Sequence, residues 1–143
     1  MTFAGINYLA ILFAAVVGWL AGAVYYGLLG KAWVAAQGRT MEEFKAQQAE
    51  MIGKFSGQIP FILALLANLV MAWVLAGMVG HMGSVTLRSA VISALFAWVG
   101  FVLTTIVVNH SFGGRRYKLA AIDAGHWLIV LVLMGVVIGW MGV

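Results

Sequence analysis

Residues 119–140 read LAAIDAGHWLIVLVLMGVVIGW, and Asp123 is the only Asp, Glu, Lys or Arg in this run. About 20 consecutive apolar residues are needed to cross a hydrocarbon core about 30 Å thick. A backbone in lipid must satisfy its own hydrogen bonds, and this run shows no alternation with a period of two, so we expect a helix rather than a barrel strand. The stretch therefore predicts a membrane-spanning helix.

Three further stretches have the same character and predict spans at about residues 3–29, 59–80 and 89–108. Of the 143 residues, 64% are apolar and 8% charged, whereas a soluble domain is about half apolar and a quarter charged. The chain also lacks cysteine. These features exclude a soluble globule, a disordered chain, a disulfide scaffold and a nucleic-acid-binding protein. The expected fold is all-α: one integral membrane four-helix bundle, residues 1–143.

The first span has an alternative interpretation as a cleaved signal peptide, because Ala21-Gly22-Ala23 resembles a cleavage site. A signal peptide begins with a basic region, and residues 1–8 contain no Lys or Arg. We therefore expect the first span to be retained.

Basic side chains fall almost entirely on one side of the predicted spans. Seven of the eight lie in the connections between spans one and two and between spans three and four: Lys31, Arg39, Lys45, Lys54, Arg115, Arg116 and Lys118. Only Arg88 lies in the opposite connection. Because basic loops are retained in the cytoplasm, we expect both long loops inside and both termini outside.

The first of these loops predicts a short amphipathic helix at about residues 41–55. Thr40 and Glu43 form a capping box, in which each side chain satisfies a free N–H at the helix start. Apolar residues then recur at helical spacing. We expect this helix to lie along the lipid headgroups. A mobile gate or a docking site for a cytoplasmic partner is the alternative.

The second loop is short, basic and rich in glycine. In one interpretation, the only role of this loop is to set the topology through its basic residues, Arg115, Arg116 and Lys118. Alternatively they contact an anionic headgroup, because paired arginines bind phosphate through two parallel hydrogen bonds.

Small residues recur every four positions and create flat helix faces, on which helices in lipid pack closely. Gly18 and Gly22 form such a pair in the first span, and Gly135 and Gly139 form another in the fourth. A four-helix protomer can use these faces internally or keep one for a second copy, and the two glycine pairs are the candidates for the seam of a homo-oligomer.

Polar side chains inside the spans are few, and ionisable groups in lipid mark candidate functional positions. Asp123 is the only acid in any span, and His126 follows three residues later on the same helix face. We expect a polar site at the cytoplasmic end formed by Asp123, His126, His110, Asn109 and a tyrosine hydroxyl, that of Tyr25 or Tyr26, with Asn68 near the middle of the second span.

Several chemistries fit this group. A carboxylate beside an imidazole makes a proton-carrying pair, two histidines and an aspartate can bind a divalent metal, and two histidines can ligate haem. The structural alternative is that Asp123 pairs with the basic loop or stabilises the start of its own helix. We expect no metal and no cofactor.

The chain resembles domain-of-unknown-function family 1761, a family of small bacterial membrane proteins. The resemblance rests on GAVYYGLLGKAW at residues 22–33, on WVGF at residues 98–101, and on residues 109–125. The family usually has Trp-Tyr-Ser-Pro around Tyr25-Tyr26-Gly27, and Asn is common at the position of Asp123. The resemblance implies four spans and a bacterial inner membrane, but no reaction.

The leading functional hypothesis is permeation or transport of a proton, ion or small solute by a homo-oligomer in the lipid bilayer. The polar route would run near Asn68, Asp123 and His126. The alternative is a non-catalytic interaction or assembly subunit, and a metal or haem enzyme is a third possibility.

Overall fold

A computed structural model describes residues 6–143, so the predicted start of the first span at residues 3–5 lies outside the described residues. Four apolar helical spans form an antiparallel bundle: α1 (Tyr8–Ala36), α3 (Ile59–His81), a third span made of α4 (Leu87–Ala97) and α5 (Thr104–Phe112), and α6 (Tyr117–Met141). Each is long and apolar enough to cross a membrane. Residues 6–143 contain no strand, and the all-α four-helix fold is confirmed.

The bundle has two distinct ends. Asn7 Nδ2 donates to the carbonyl oxygen of Met141 at 3.2 Å, so the start of α1 meets the end of α6. We call this the termini end, and it also holds the α3–α4 turn. The opposite end, the loop end, holds the α1–α3 and α5–α6 connections. All basic residues except Arg88 therefore belong to the loop end.

Helix α1 continues to Ala36, seven residues beyond the predicted end of the span at Leu29. The extension is stabilised by packing, because Val34 and Ala36 are buried. At its end, Arg116 Nη1 donates to the carbonyl oxygen of Ala35 at 3.1 Å, which satisfies one of the carbonyls that a helix terminus leaves free.

The loop helix α2 (Met41–Met51) begins with the expected capping box between Thr40 and Glu43. Hydrogen bonds from Thr40 to the Glu43 carboxylate hold the pKa of that carboxyl below its ordinary value. The helix ends at Met51 rather than at Phe55, because Gly53 adopts a positive φ of 78°. A 3-10 turn, Phe55–Gly57, then leads into α3. No residue of α2 is buried.

The third span is divided by a π-helical segment, Trp98–Leu103, between α4 and α5. This segment places Trp98 so that its Nε1 donates to the carbonyl oxygen of Ala124 in α6 at 2.8 Å. No residue of α5 is buried. The loop-end half of this span is therefore attached to the bundle mainly through its contact with α6.

Helix α6 is the central helix, packed against α1 on one side and α4 on the other. The termini half of the bundle is filled by a close-packed apolar core: Ile11, Ala14, Ala15, Ala72, Leu75, Ala76, Val79, Ala90, Ala94, Val130, Leu131, Met134 and Ile138. The loop-end half holds a smaller cluster of Ala36, Leu119 and Ile122. The space between these two cores contains the polar side chains.

The four glycines that are candidates for a seam between copies pack inside the protomer. A Cβ on Gly18 would lie 2.6 Å from Asn68 Oδ1, and one on Gly22 would lie 2.7 Å from His126 Nε2. On the other side of α6, a Cβ on Gly135 or Gly139 would lie within 3.0 Å of the α4 backbone or its cap. Helices α1 and α6 thus use these glycine faces to contact α3, α4 and each other within the protomer, and a homo-oligomeric seam stays a prediction.

Candidate functional site

The carboxylate of Asp123 is the centre of a hydrogen-bond network near the loop end. Its Oδ1 accepts from the Tyr26 hydroxyl at 2.9 Å and from Trp33 Nε1 at 3.0 Å. Its Oδ2 lies 3.2 Å from Nε2 of His110, which belongs to α5. The side chains of His110 and Asp123 are 15% and 22% exposed. Three helices thus converge on one acid.

Of these partners, Trp33 was not expected from the sequence, and Tyr26 was considered only beside Tyr25 as the source of a hydroxyl. Tyr26 and Trp33 are seven residues apart on α1, and therefore lie two turns apart on one helix face. Trp33 belongs to the part of α1 that extends past the predicted end of the span. In the sequence, the only sign that Tyr26 and Trp33 act together is the seven-residue spacing of these two aromatic hydrogen-bond donors. It becomes informative only if the helix continues through Trp33.

Asp123 pairs with His110 and not with the residues that the sequence placed nearest to it. The sole ion pair in residues 6–143 is His110–Asp123. Arg116 instead binds the end of α1, and Arg115 and Lys118 are exposed. The three basic residues therefore do not neutralise the carboxylate. Their expected contact with a lipid headgroup stays a prediction.

The remaining expected cluster members occupy other positions. The Tyr25 hydroxyl donates to the carbonyl oxygen of Ile122 at 2.9 Å, so Tyr26 rather than Tyr25 binds the carboxylate. Asn109 is exposed, on a different side of α5 from His110. Neither Tyr25 nor Asn109 hydrogen-bonds to Asp123.

His126 lies in an aromatic environment instead of pairing with Asp123. Its ring centroid is 4.8 Å from that of Tyr26 and 4.6 Å from that of Trp127. The residue is 8% exposed, and its Nδ1 is buried without a hydrogen-bond partner in residues 6–143. Since a buried unpaired polar atom costs about 1–3 kcal/mol, this nitrogen requires an explanation.

A cavity of about 720 Å³ lies beside His126, between α1, α3 and α6. Its wall is mostly apolar and aromatic: Trp19, Gly22, Ala23, Tyr26, Trp33, Pro60, Phe61, Leu63, Ala64, Ala67, Asn68, His126 and Trp127. Trp19 Nε1 donates to the Phe61 carbonyl oxygen at 3.1 Å and so joins α1 to α3 along this wall. The volume is in the range of small-molecule binding sites.

Asn68 also lines this cavity and has an unpaired buried atom of its own. Its Nδ2 donates to the carbonyl oxygen of Ala64 at 2.7 Å. This bond fixes Oδ1 as the free acceptor, and Oδ1 is buried without a partner in the described part of the chain. Asn68 is 3% exposed. The amide and the imidazole contact Gly18 and Gly22, which are one helical turn, about 6 Å, apart.

The network and the cavity share a wall. Tyr26 and Trp33 line the cavity and also donate to Asp123. Across residues 6–143, no three His, Asp or Glu side chains come close enough together to hold a metal ion. The arrangement can accept a largely apolar molecule and present polar groups to one part of it.

One comparison with known proteins identifies a relationship. The sequence model of a family described as "Protein of unknown function (DUF1761)" matches residues 9–139. No curated protein and no solved structure matches the chain.

Proposed function

We propose that this chain, which belongs to the DUF1761 family, is a small membrane carrier for a largely apolar molecule with a polar end. The family match confirms the resemblance seen in the sequence, but the family description assigns no activity. The proposal instead starts from the cavity between α1, α3 and α6. The molecule would lie among its aromatic side chains, with its polar end toward Asn68 and His126.

The observation that carries the proposal is that two residues lining one cavity, Asn68 and His126, each have a buried side-chain atom, Oδ1 and Nδ1, without a hydrogen-bond partner in residues 6–143. Buried polar groups in proteins nearly always have a hydrogen-bond partner, and exceptions call for a functional explanation. The amide oxygen can only accept, whereas a neutral imidazole can donate or accept at Nδ1 according to its tautomer. A hydroxyl group on the solute offers both the donor and the acceptor that these two side chains call for.

The position of Asn68 favours transport over binding at the headgroups. Asn68 is the tenth residue of the 23-residue helix α3 and so lies close to its middle. Solute sites of membrane transporters lie near the midplane of the bilayer. Phe61 and Leu63 line the cavity and are 63% and 58% exposed. These two residues favour access from the lipid between α1 and α3.

The proposed site is built by three helices of one protomer, α1, α3 and α6. The glycine faces of α1 and α6 make contacts within that protomer, and association of copies through them stays a prediction.

Filling the cavity should abolish solute binding. Ala67 lines the cavity and is exposed, so Ala67→Trp adds an indole without displacing the packed core. The probe is 2-naphthylmethanol, a flat apolar ring with a hydroxyl that does not ionise in water. We expect its affinity for nanodisc-embedded protein, measured by calorimetry against empty nanodiscs, to fall at least about tenfold, a loss of about 1.4 kcal/mol.

Ala121→Trp is the matched control, because Ala121 is exposed on α6 and does not line the cavity. Its affinity for the probe should equal that of the unmodified protein. Equal binding by both tryptophan variants would place the probe in lipid and contradict the proposal. Counterflow of the probe in proteoliposomes then tests transport itself, and saturable binding without counterflow would reduce the carrier to a binding protein.

We also propose that the protein lies in a bacterial inner membrane with its loop end in the cytoplasm, as the basic residues there favour. The chain has no cysteine, so single cysteines can be introduced at exposed positions. In bacterial spheroplasts, a membrane-impermeant maleimide should label Ser84→Cys, at the termini end, directly. Ser56→Cys, at the loop end, should react only after lysis. The reverse pattern would contradict this orientation.

A further inference from the structure

The two contacts of His110, with Ile106 through Nδ1 and with Asp123 through Nε2, together require one proton more than a neutral histidine and a carboxylate supply. Nδ1 of His110 lies 2.9 Å from the carbonyl oxygen of Ile106, and a carbonyl can only accept, so Nδ1 carries a hydrogen. In the neutral tautomer, Nε2 is then a bare acceptor. Yet Nε2 lies 3.2 Å from the acceptor Oδ2 of Asp123. One further proton therefore resides on Nε2 or on Oδ2.

We infer that His110 and Asp123 form a single-proton site whose occupancy is coupled to the solute cavity through the Tyr26 hydroxyl. The coupling rests on the proposed carrier function, whereas the proton site rests on the hydrogen bonds alone. In either position of the proton the pair is neutral as a whole. A neutral pair avoids the cost of an isolated charge near the membrane interior.

The surroundings provide no other counter-charge for the carboxylate. The titratable side chains that face it are Tyr25 and Tyr26 from α1 and His126 from α6. Arg116, at the start of α6, donates to Ala35. No Lys or Arg in residues 6–143 lies within 4.0 Å of the carboxylate. The proton shared with His110 is therefore what neutralises Asp123.

Tyr26 connects the proton site to the cavity because its hydroxyl has one hydrogen to donate. In this structure it donates to Asp123 Oδ1 at 2.9 Å, and the same side chain lines the cavity. The Tyr26 and His126 rings are neighbours, with centroids 4.8 Å apart, so a solute hydroxyl beside His126 can accept this hydrogen. The carboxylate then loses a donor and holds the shared proton more tightly. By linkage, the protonated pair binds the solute more tightly than the deprotonated pair.

Loss of the proton also has a structural consequence. If Nδ1 keeps its hydrogen, two lone pairs would then face each other at 3.2 Å between Nε2 and Oδ2. If the hydrogen moves to Nε2, the opposed lone pairs are those of Nδ1 and the Ile106 carbonyl oxygen, at 2.9 Å. In the first case the contact that helps to attach α5, which has no buried residue, to α6 separates, and the loop-end half of the third span should be released.

Isotope labelling can observe this site directly, because Asp123 is the only aspartate in the chain and there are only three histidines. We expect the ¹³C carboxyl signal of Asp123 and the ¹⁵N signals of His110 to change together, in one transition of one proton, as the pH is raised. Below the transition, Nδ1 of His110 is protonated and the further proton is on Nε2 or on the carboxyl. A neutral His110 protonated only at Nε2 beside an ionised Asp123, observed at a pH below the transition, would overturn the proton site.

Asp123→Asn is the matched variant. Its amide oxygen can still accept from Tyr26 and Trp33, and its NH₂ group can donate to Nε2 of a neutral His110. The contacts are kept, but the shared proton is gone. In this variant His110 should remain the neutral tautomer with its hydrogen on Nδ1 throughout the same pH range. The proton site would also be overturned if the ¹⁵N signals of His110 changed with pH in this variant as they do in the unmodified protein.

The coupling is tested by binding of 2-naphthylmethanol on both sides of the observed transition. The unmodified protein should lose about fivefold or more in affinity when the pair is deprotonated, and Asp123→Asn should show the same affinity at both pH values. Equal affinity in the unmodified protein would overturn the coupling alone. Absence of binding at either pH, with the transition present, would overturn the carrier function and the coupling and leave the proton site intact.

Discussion

Gly139→Leu is expected to lower the free energy of unfolding by about 3 kcal/mol, at the upper end of what overpacking a core costs. A Cβ at this position would lie 2.6 Å from the Leu87 Cα and 2.9 Å from the Thr86 carbonyl oxygen. Both are backbone atoms at the start of α4, so no rotamer change can relieve the contact. Helices α4 and α6 must separate, which exposes apolar contacts along their interface.

The measurement is reversible unfolding in mixed micelles of dodecyl maltoside and SDS, followed by circular dichroism. Gly77→Leu is the control, because a Cβ on Gly77 meets no atom within 4 Å. Replacing that glycine should leave the stability unchanged or raise it by up to about 1 kcal/mol, since glycine in a helix interior is itself destabilising. Similar unfolding curves for the two variants would contradict the close α4–α6 packing.

Asp123→Ala is expected to destabilise the bundle by about 2–3 kcal/mol, whereas Asp123→Asn should change its stability by less than about 1 kcal/mol. Alanine leaves the donors of Tyr26 and Trp33 without an acceptor and removes the partner of His110 Nε2, and an unsatisfied buried polar group costs about 1–3 kcal/mol. We expect less than the sum of three such costs, because the site is partly exposed and water can reach some of these groups.

The same unfolding assay separates the two variants. Asn109→Ala serves as a neighbouring control, because Asn109 is exposed and exposed substitutions usually change stability by less than about 0.5 kcal/mol. If Asn proves as damaging as Ala at position 123, the negative charge rather than the hydrogen-bond geometry stabilises the network. A stable Asp123→Ala variant would show that the network does not hold the helices together.

The sequence correctly placed Asp123 and His110 toward one end of the bundle but could not choose their partners. Adjacent helical residues point about 100° apart, so the choice between His110 and Asn109, or between Tyr26 and Tyr25, depends on the rotation of each helix. In soluble proteins an apolar stripe fixes that rotation. These spans are apolar on every side, so their sequences contain no such stripe.

The role of Trp33 was missed for a related reason. Gly30 and Lys31 end the apolar run, so hydropathy alone predicts a span that stops at Leu29. The helix continues because Val34 and Ala36 are buried at the loop end. That stabilisation comes from another helix and has no local signature. The sequence likewise left open whether the glycine pairs pack within the protomer, since a flat helix face does not show whether it will contact its own bundle or another copy.

The sequence by itself determined the four spans, the capping box at Thr40 and Glu43, and the placement of nearly all basic residues at one end. These properties follow from local free energies: the transfer of each segment into lipid, the satisfaction of a helix terminus, and the position of charge along the chain. The tertiary structure alone decided that His110 meets Asp123 and that Asn68 and His126 share a cavity. In lipid the surroundings are as apolar as the bundle core, so close packing and hydrogen bonds, not hydrophobicity, select the helix faces that meet.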